Sequence, residues 1–564
     1  MSLKRVKVRI KKVLNVDVQV EKLNQSIRLS GDVDSWEKVV KAGLIAGKEK
    51  CKGVINELQV PGLKEKEIHE PNLKDLALDG KKVDVLVIGA GITGASIARE
   101  LSKWDISVLV VDKEDDVAMH ASSRNDGMIH PGLAAKPGTL KAKYNVLGNA
   151  MYDRIASELG VEFKRFGSLV LFTRRMKLYK PLVKRRIRQN KIPNTRFINK
   201  KELYKREPHL RDGFVGALEL KTTGSLSPYK LVIAYLENAI ENGVELSLNT
   251  IVKGMEHKES EIHSVMTNRG TVYPKVVVNA AGVYSDKIAE YAQDLFFTIH
   301  PRKGEALILD KKSGSLINHN LGIFKTNTKK NNSKGGGIVR TVEDNLLVGP
   351  TAKEIIDREE YSTTQNGYKE LIEKQLTIVD NLTKNDIITY FSGIRAATYK
   401  EDFIVSKSRK RNNLVHAAGI QSPGLASAPA ISAEVAKMTT SILKDKIDLR
   451  TNANFNPFNK PVKDVKSLPI DERNKLIKEN SDYGKIICRC EEISKGEIVS
   501  AINRNIPATT LDAIKRRVRA TGGRCQGGFC TPLIMEIIAK EANLNIEDIT
   551  KSGDSSNMLY GKTK

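Results

Sequence analysis

Four of the five cysteines fall within one short stretch near the C-terminus and could bind a metal centre. Cys488 and Cys490 are one residue apart, Cys525 and Cys530 are four apart, and 34 residues separate the two pairs. Soft thiolate ligands select zinc or iron–sulfur centres. Structural zinc sites usually show two to four residues between paired cysteines, so this spacing favours iron–sulfur and leaves zinc or unligated thiols as alternatives. Cys51 lies far away and is expected to be a structural thiol.

A glycine-rich segment could bind the pyrophosphate of a dinucleotide. Gly89, Gly91 and Gly94 have the spacing G-x-G-x-x-G. In such a site the first glycine allows a tight turn, the second lets the backbone approach the pyrophosphate, and the third lets the following helix pack closely. Asp112, roughly 20 residues beyond the glycines, is placed to accept hydrogen bonds from ribose hydroxyls.

The segments around these glycines occur in the order that a dinucleotide site needs. The apolar run Val83–Ile88 predicts a strand, Ala95–Lys103 predicts a helix, and Val108–Val111 predicts a second strand. The helix would direct its N-terminus, with its partial positive charge, at the phosphates. Strand, turn, helix and acidic residue together make a strong signal, although they do not by themselves distinguish FAD from NAD.

Residues 121–163 resemble the flavin-approach region of the D-amino-acid-oxidase-like flavoprotein superfamily. The resemblance is strongest to FAD-dependent glycerol-3-phosphate dehydrogenases and L-2-hydroxyglutarate dehydrogenases. It implies FAD as the cofactor, with a Ser/Asn-rich turn and a His-x-Gly step beside the flavin. The residues at those positions are Ser122, Ser123, Asn125, His130 and Gly132.

Further segments over residues 80–445 resemble the same superfamily, namely 276–290, 301–309, 339–352, 391–405 and 416–436. The resemblance implies that the last of them surrounds the flavin ring and that the first approaches the cofactor. Together with residues beside the glycine motif, the implied FAD contacts are Ile92, Thr93, Lys113, Val252, Ala280, Ala281, Gly282, Gly419, Ile420, Gly424 and Leu425.

The two ends of the chain resemble two further modules. Residues 485–540 resemble the bacterioferritin-associated-ferredoxin-like domain, which implies a 2Fe–2S cluster bound by the four clustered cysteines. Residues 1–60 predict two strands around a turn at Asn24–Gln25, a helix opened by Ser35, and a last strand. This order resembles the BON domain, which is associated with membrane surfaces, and a generic docking or oligomerisation module is the alternative.

The predicted fold class is α/β. A Rossmann-type FAD-binding domain with an interleaved α+β substrate domain would lie between a small α/β module and a small, mostly helical iron–sulfur domain. The predicted boundaries are 1–62 for the BON-like module, 63–80 for a linker, 81–450 for the FAD-binding and substrate domain, 451–484 for a second linker, 485–545 for the 2Fe–2S domain and 546–564 for a tail.

The net charge of +26 is spread over the whole chain. It is explained most simply by a lysine-rich solvated surface, then by attraction of anionic substrates or acidic lipids. No nucleic-acid-binding motif accompanies it. The sequence has no apolar run of about 18 residues and no signal-peptide pattern. We therefore expect the cytoplasm, with peripheral contact to the inner face of the membrane through residues 1–60.

The resemblances imply oxidation of a secondary alcohol on a small anionic substrate, with hydride transfer to flavin and one-electron transfer through the cluster to an acceptor protein or partner subunit. Arg395 is the predicted ligand of the substrate anion, because a guanidinium binds carboxylate or phosphate bidentately. His130 is expected to act as the base or to contact the flavin. Arg340 and Lys303 are further candidate anion ligands.

The domain architecture favours glycerol 3-phosphate as the substrate, since the resemblance to the large subunit of anaerobic glycerol-3-phosphate dehydrogenase includes the cluster domain. The step His130–Pro131–Gly132 is closer to the L-2-hydroxyglutarate dehydrogenase pattern. Amino-acid oxidation is a third alternative within the superfamily. A non-catalytic electron-transfer scaffold is the alternative from another class.

Overall fold

The N-terminal residues form a small α/β module. The computed structural model describes residues 2–323 and 336–561. The module contains α1 (Leu3–Leu14), β1 (Gln19–Leu23), β2 (Ser26–Asp32), α2 (Trp36–Ala46) and β3 (Val54–Gln59). β1 and β2 pair antiparallel, and β2 pairs parallel with β3.

Helix α1 is not predicted by the pattern of the sequence. Its buried residues Val6, Ile10 and Leu14 recur every four positions and pack into the core of the module. The helix contains six lysines and arginines, four of them between Val6 and Leu14, and they hide an apolar stripe that is only one residue wide on each turn. The strands around Asn24–Gln25 and the helix after Ser35 lie where they are predicted.

The central domain alternates strands and helices along the chain. Its first half contains β4 (Lys81–Ile88), α3 (Ile92–Leu101), β5 (Val108–Val111), β6 (Met128–Ile129), α4 (Leu140–Leu159), β7 (Phe163–Lys164), β8 (Ser168–Phe172), α5 (Lys180–Asn190), β9 (Thr195–Asn199), α6 (Lys200–Arg206), β10 (Gly216–Leu220), β11 (Gly224–Leu226), α7 (Pro228–Glu241) and β12 (Glu245–Ser247).

Its second half contains β13 (Val252–Lys258), β14 (Glu261–Thr267), β15 (Gly270–Asn279), α8 (Ser285–Tyr291), β16 (Ile299–Leu309), β17 (Asn320–Ile323), β18 (Gly337–Arg340), β19 (Leu346–Gly349), β20 (Lys353–Glu354), α9 (Gln365–Lys374), β21 (Ile387–Thr398), β22 (Ile404–Lys407), β23 (Leu414–Ala418) and α10 (Gly424–Leu443).

The first sheet of this domain is the one that the glycine motif predicts. Its strands follow the order β12-β5-β4-β15-β14-β13, and β23 pairs parallel with the end of β15. Val85 and Val87 pack against α3, α4, α7 and α10, whereas Leu86 and Ile88 pack against the strands β13 and β14. This alternation buries both faces of the second half of β4 and explains the continuous apolar run 85–88.

The second sheet has the order β20-β16-β19-β18-β17-β8-β10-β9, and β21 pairs with β16 along almost its whole length. In that antiparallel pair Arg302 lies opposite Arg395, and Gly304 lies opposite Gly393. Directly opposed residues share one face of a sheet, so the two arginines and the two glycines point to the same side.

The C-terminal part contains α11 (Ile470–Glu479), β24 (Ile486–Cys488), β25 (Ile493–Ser494), α12 (Lys495–Ile502), α13 (Leu511–Val518) and α14 (Thr531–Glu541). It is mostly helical, as the sequence predicts. No helix in the described ranges is both long and apolar enough to cross a bilayer.

The two predicted linkers are ordered and packed rather than extended spacers. In the first, Asp75 forms an ion pair with Arg269 at 2.9 Å. In the second, α11 forms a helix, and the carbonyl of Asn456 accepts a hydrogen bond of 3.0 Å from Asn238 on α7. Both segments thus pack through hydrogen bonds and ion pairs rather than through apolar stripes, and their role as linkers stays a prediction.

Buried ion pairs attach the cysteine-bearing domain to the central domain. Asp116 accepts hydrogen bonds from Arg516 at 2.6 Å and Arg517 at 2.9 Å. The two guanidinium groups hold the pKa of Asp116 at about 2, against the opposing effect of burial. Breaking a buried ion pair on one side leaves an uncompensated charge.

We expect Asp116→Ala to destabilise the protein by about 3–5 kcal/mol, because two buried arginines lose their shared carboxylate. Urea unfolding of the purified holoprotein would measure this. Asp448→Ala is the matched control, since its ion pair with Arg450 is largely exposed and should cost at most about 1 kcal/mol. Equal effects of the two variants would contradict a docking role for Asp116.

Candidate active site and iron–sulfur centre

A cavity of about 600 Å³ lies between the two sheets of the central domain. On one side it is lined by the loops that follow β4, β5, β15 and β23, and on the other by residues of β16, β18 and β21. Ligands of open α/β sheets bind outside the carboxyl ends of the strands. The cavity has the position and size for a dinucleotide and a small substrate.

The three glycines of the motif occupy positions where a side chain would not fit. Gly89 has φ +112°, and a Cβ there would lie 2.5 Å from the carbonyl oxygen of Ala280. A Cβ on Gly94 would lie 1.8 Å from the carbonyl oxygen of Gly89, so α3 packs directly on the loop. Gly91 faces the cavity at the N-terminus of α3, where Ser122 Oγ is its nearest neighbour.

Asp112 lines the cavity at the end of β5. Its carboxylate accepts hydrogen bonds from the backbone N–H groups of Ala90, at 2.6 Å, and Glu114, at 3.0 Å. Burial raises the pKa of this carboxyl group. Each oxygen of a carboxylate can accept more than one hydrogen bond, so Asp112 retains acceptor capacity for ribose hydroxyls.

Lys113 forms a charge network that the sequence analysis did not predict. Its ammonium group lies 2.7 Å from Glu359 and contacts Glu114, which in turn lies 2.8 Å from His120 Nε2. Although burial opposes it, His120 and Lys113 hold the pKa of Glu114 well below its usual range. Glu114, His120 and Glu359 are close enough to resemble a metal site, but the lysine already neutralises the carboxylates.

Most of the predicted cofactor residues lie around the cavity. Those that line it are Gly89, Gly91, Ile92, Thr93, Asp112, Lys113, Ser122, Asn125, His130, Val252, Ala280, Ala281, Gly282, Ile420, Gly424 and Leu425. Gly94, Ser123 and Gly419 lie just outside it. The individual contacts with FAD stay predictions.

The N-termini of two helices point into the cavity. α3 begins at Ile92 and α10 begins at Gly424, and both of these residues line the cavity. Neither helix has an acidic residue in its first turn. Unpaired N–H groups give a helix N-terminus a partial positive charge, so both ends favour negative charge on a bound ligand.

Arg395 is the predicted substrate ligand that the structure places in the cavity wall. Its only hydrogen bond to a described residue is a 3.3 Å contact with the carbonyl oxygen of Thr351, and no described carboxylate lies within 4.0 Å of it. Burial, together with the charge of Arg302, lowers the pKa of Arg395 to about 10, so the group remains charged at neutral pH. A Cβ on Gly304 would lie 2.5 Å from this guanidinium, which explains the glycine.

Arg302, which the sequence analysis did not select, also lines the cavity. It donates a 2.6 Å hydrogen bond to Glu354 and contacts Glu401. Lys141 Nζ lies 3.8 Å from Glu401, and burial lowers the pKa of this lysine to about 8. A mirrored spacing could have identified Arg302. Arg302-x-Gly304 on β16 lies opposite Gly393-x-Arg395 on β21.

The structure places Lys303 and Arg340, the two further predicted anion ligands, outside the lining of the cavity. Lys303 follows Arg302 on β16 and points to the other face, where it donates to the carbonyl oxygen of Ser362 at 2.9 Å. Arg340 pairs with Asp344 at 2.8 Å. In both cases the neighbouring residue occupies the inward position of the strand.

His130 lines the cavity. Its carbonyl oxygen accepts hydrogen bonds from Asn145 Nδ2 at 2.5 Å and Asn149 Nδ2 at 3.0 Å. These two amides on α4 fix the backbone of the loop that carries the imidazole. Action of His130 as a base stays a proposal.

The N-terminal module contacts the residues that support this site. Lys400 Nζ donates to the carbonyl oxygens of Gly47, at 2.9 Å, and Glu49, at 2.8 Å, beyond the end of α2. The preceding Tyr399 packs in the core of the module and stacks on His300, which contacts Glu354 at 2.8 Å. The module thus holds the segment that ends in Glu401.

The four C-terminal cysteines are arranged as two pairs. Cys490 Sγ lies 3.2 Å from Cys525 Sγ, and Cys488 contacts Cys530. In tetrahedral zinc sites all four sulfurs lie roughly 3.8 Å from one another, given a Zn–S bond of about 2.3 Å. Among the described residues, no three cysteine sulfurs lie within 4.8 Å of one another. Two pairs suit a centre with two metal ions better than a single zinc ion.

The loop around the second cysteine pair directs backbone N–H groups at sulfur. Those of Gly527, Gly528 and Phe529 point at Cys525 and, with its hydrogen bond to Cys490, lower its pKa. Hydrogen bonds to thiolates stabilise their negative charge and tune the metal. The donor set therefore fits an iron–sulfur cluster.

Comparisons with known proteins agree with both sites. A family model described as FAD dependent oxidoreductase matches residues 84–438, and one described as BFD-like [2Fe-2S] binding domain matches residues 486–540. A glycerol 3-phosphate dehydrogenase of Caloramator mitchellensis is 43% identical over 483 residues, covering 85% of this chain and 99% of the relative.

Two further similarities bear on the substrate. An L-2-hydroxyglutarate dehydrogenase of Indibacter alkaliphilus is 32% identical over 298 residues, covering 51% of this chain and 72% of the relative. The FAD-bound structure of L-alpha-glycerophosphate oxidase from Mycoplasma pneumoniae superposes with a TM-score of 0.62 at 26% identity, covering 67% of this chain and 98% of that one. The predicted α/β flavoprotein fold and the predicted cofactors are thereby confirmed.

We expect Lys400→Met to raise the KM for the substrate about fivefold to tenfold while FAD content stays unchanged. The change removes the hydrogen bonds that hold the segment next to Glu401, and truncating such a charged partner costs roughly 1.5 kcal/mol or more. Steady-state kinetics and the flavin absorbance would measure both. Lys407→Met is the control, because Lys407 is exposed. A similar rise in the KM of that variant would contradict the positioning role of Lys400.

We expect Cys525→Ser to lose iron and the visible absorbance of the cluster while FAD remains bound, since the two cofactors occupy separate domains. Iron and sulfide analysis of the anaerobically purified protein would test this, with Cys51→Ser as the control. About two irons per chain in the unmodified protein are expected. One bound zinc ion and no sulfide would refute the two-metal assignment.

Proposed function

The chain belongs to the family of FAD dependent oxidoreductases and carries a BFD-like [2Fe-2S] binding domain, and from this premise we propose that it oxidises sn-glycerol 3-phosphate to dihydroxyacetone phosphate. The observation that carries the proposal is the guanidinium of Arg395 in the cavity wall, which forms no ion pair with a described carboxylate. The relative that is 43% identical, and is named a glycerol 3-phosphate dehydrogenase, supports the choice of substrate.

The cavity presents an excess of positive charge to a small anion. Its lining contains seven lysines and arginines, among them Arg302, Arg395 and Lys141, and three carboxylates, among them Glu401. Glu354 pairs with Arg302 from outside the lining. Glu354 and Glu401 are both engaged by Arg302, and no described carboxylate lies within 4.0 Å of Arg395, so the charge of Arg395 is available to a ligand. A guanidinium presents parallel N–H donors that match two oxygens of a phosphate. Arg395 therefore binds the phosphate, and Arg302 adds positive potential next to it.

The residues of the cavity loops accept the proton of the substrate hydroxyl and orient the cofactor. Bound FAD supplies a two-electron acceptor for the hydride of the carbinol carbon. His130 takes the hydroxyl proton, a role that a histidine in the cavity wall can fill near neutral pH. The N-termini of α3 and α10 bind and orient negative charge of the cofactor, and Gly91 lets the backbone approach the pyrophosphate.

The cysteines Cys488, Cys490, Cys525 and Cys530 hold the cluster, which supplies one-electron transfer. This arrangement suits a dehydrogenase that passes electrons to another protein, since direct reaction of a flavin with oxygen needs no such carrier. We propose an electron-acceptor protein or partner subunit as the recipient. A cytoplasmic location and membrane contact through residues 1–60 stay predictions, as does the BON-like character of that module.

L-2-hydroxyglutarate is the second candidate substrate. The relative with that named activity is 32% identical, but its similarity covers only 51% of this chain. The cavity does not by itself separate a carboxylate from a phosphate, because Arg395 can bind either anion bidentately. Amino-acid oxidation and a non-catalytic scaffold have no specific observation in their favour.

We expect glycerol 3-phosphate to bleach the flavin absorbance of the unmodified protein under anaerobic conditions. We expect Arg395→Met to lower kcat/KM at least about 100-fold, because a buried charged hydrogen-bond partner of the anion is lost. Dithionite should still reduce the flavin of this variant. Stopped-flow and steady-state assays would measure these effects.

The control is Arg340→Met, which removes a guanidinium outside the cavity and should leave kcat/KM unchanged. A loss in Arg340→Met with normal activity in Arg395→Met would contradict the site. Bleaching by L-2-hydroxyglutarate and not by glycerol 3-phosphate would establish the second candidate instead.

A further inference from the structure

One segment of the central domain is strongly basic and contains no acidic residue. We call residues 174–191 the basic arm; it comprises a 3-10 helix over Arg174–Tyr179 and the helix α5. Nine of its eighteen residues are lysine or arginine, and none is aspartate or glutamate. Most of the chain mixes basic with acidic residues, and the arm is one of a few basic stretches without an acid, another being α1.

The arm has an inner face that packs and an outer face that does not. Val183 is buried with Phe172 of β8 and Leu218 of β10, and Ile187 packs beside them. On the outer face Leu178 is 84% exposed and Leu182 is 61% exposed. The two leucines are four residues apart, which places them on one side. The segment is therefore ordered by its inner face and presents apolar side chains to its surroundings.

The cations of the arm have no acidic partners within the described part of the chain. None of its nine lysines and arginines forms an ion pair with a described carboxylate, whereas ion pairs occur over much of the remaining surface. The basic helix α1 differs in this respect, because Lys7 and Lys11 both lie within 4.0 Å of Asp17. The arm thus carries unneutralised charge next to exposed leucines.

We propose that the basic arm binds the surface of an anionic lipid bilayer. Helices with a basic face and exposed apolar side chains lie in the interface of a bilayer, where the apolar groups enter the headgroup boundary. Each lysine or arginine near an anionic membrane adds attraction. The leucines distinguish this partner from a nucleic acid, because phosphate groups offer nothing that would bury them.

The arm also touches the wall of the cavity. Arg186 lines the cavity, and Asn190 Nδ2 donates hydrogen bonds of 2.9 Å to the carbonyl oxygens of Gly132 and Ala135. Binding of the arm to a bilayer would therefore hold the loop after His130 close to the membrane surface. Because Arg186 belongs to the cavity, it is left unchanged in the test.

The test uses flotation of the purified holoprotein with vesicles of phosphatidylcholine alone or with phosphatidylglycerol. We expect binding to the anionic vesicles only. Lys177→Gln, Arg185→Gln and Arg188→Gln together should reduce the partition coefficient about 100-fold, since each cation near the surface contributes roughly a factor of five. Leu178→Ser with Leu182→Ser should abolish the part of the binding that persists at 0.5 M salt, where charge attraction is screened.

The matched control is a variant of α1 with Lys4→Gln, Arg9→Gln and Lys12→Gln. A second control changes the exposed Val8 and Val13 to serine. These controls should bind vesicles like the unmodified protein, and all variants should retain glycerol 3-phosphate oxidation in detergent-free solution. The proposal is overturned if the α1 variants lose binding and the arm variants do not, because the membrane contact would then lie in residues 1–60. It is also overturned if the unmodified protein does not bind anionic vesicles, or if the protein binds a soluble polyanion through the arm but binds no vesicle.

Discussion

The candidate site depends on holding the guanidinium of Arg395 charged in a buried cavity where no carboxylate of a described residue lies within 4.0 Å of it. An uncompensated charge inside a protein is costly, and Arg395 is kept there by the pairing of β16 with β21. Gly304 leaves the space for its side chain. The neighbouring Arg302 is neutralised by Glu354 and Glu401, so the positive potential of the pair is concentrated on the group that faces the open part of the cavity.

The same constraint explains why the N-terminal module is fixed to the central domain. Glu401 needs a fixed backbone if it is to hold Arg302 and Lys141. That backbone follows Lys400, whose ammonium is bound by carbonyl oxygens of the module. A module at the start of the chain thus supports a site built from residues near position 400. The hydrogen bonds of the Lys400 ammonium, in addition to apolar packing, connect the module to the site.

The sequence predicted the FAD side of the site better than the substrate side. Glycine spacing and flanking apolar runs determine one local geometry, so Gly89, Gly94 and Asp112 could be placed before the structure was known. On β16 the choice between Arg302 and Lys303 depends on which face points to the cavity, and a one-residue shift reverses it. That face is set by pairing with β21, far along the chain, and no local pattern reports it. The face on which Arg340 lies is likewise set by strand pairing, here of β18 with β17 and β19. Helix α1 was missed because its buried stripe is narrow.

A single loop after β5 serves both redox domains. Asp112 at its start lines the flavin cavity, and four residues later Asp116 binds Arg516 and Arg517 of the cluster domain. Electron transfer between two cofactors requires that their separation stay fixed while the substrate enters and leaves. A buried ion pair is expensive to break on one side, so it suits this purpose better than an exposed contact. The short distance along the chain between Asp112 in the cavity lining and Asp116 in the domain contact ties the position of the cluster domain to that of the cavity.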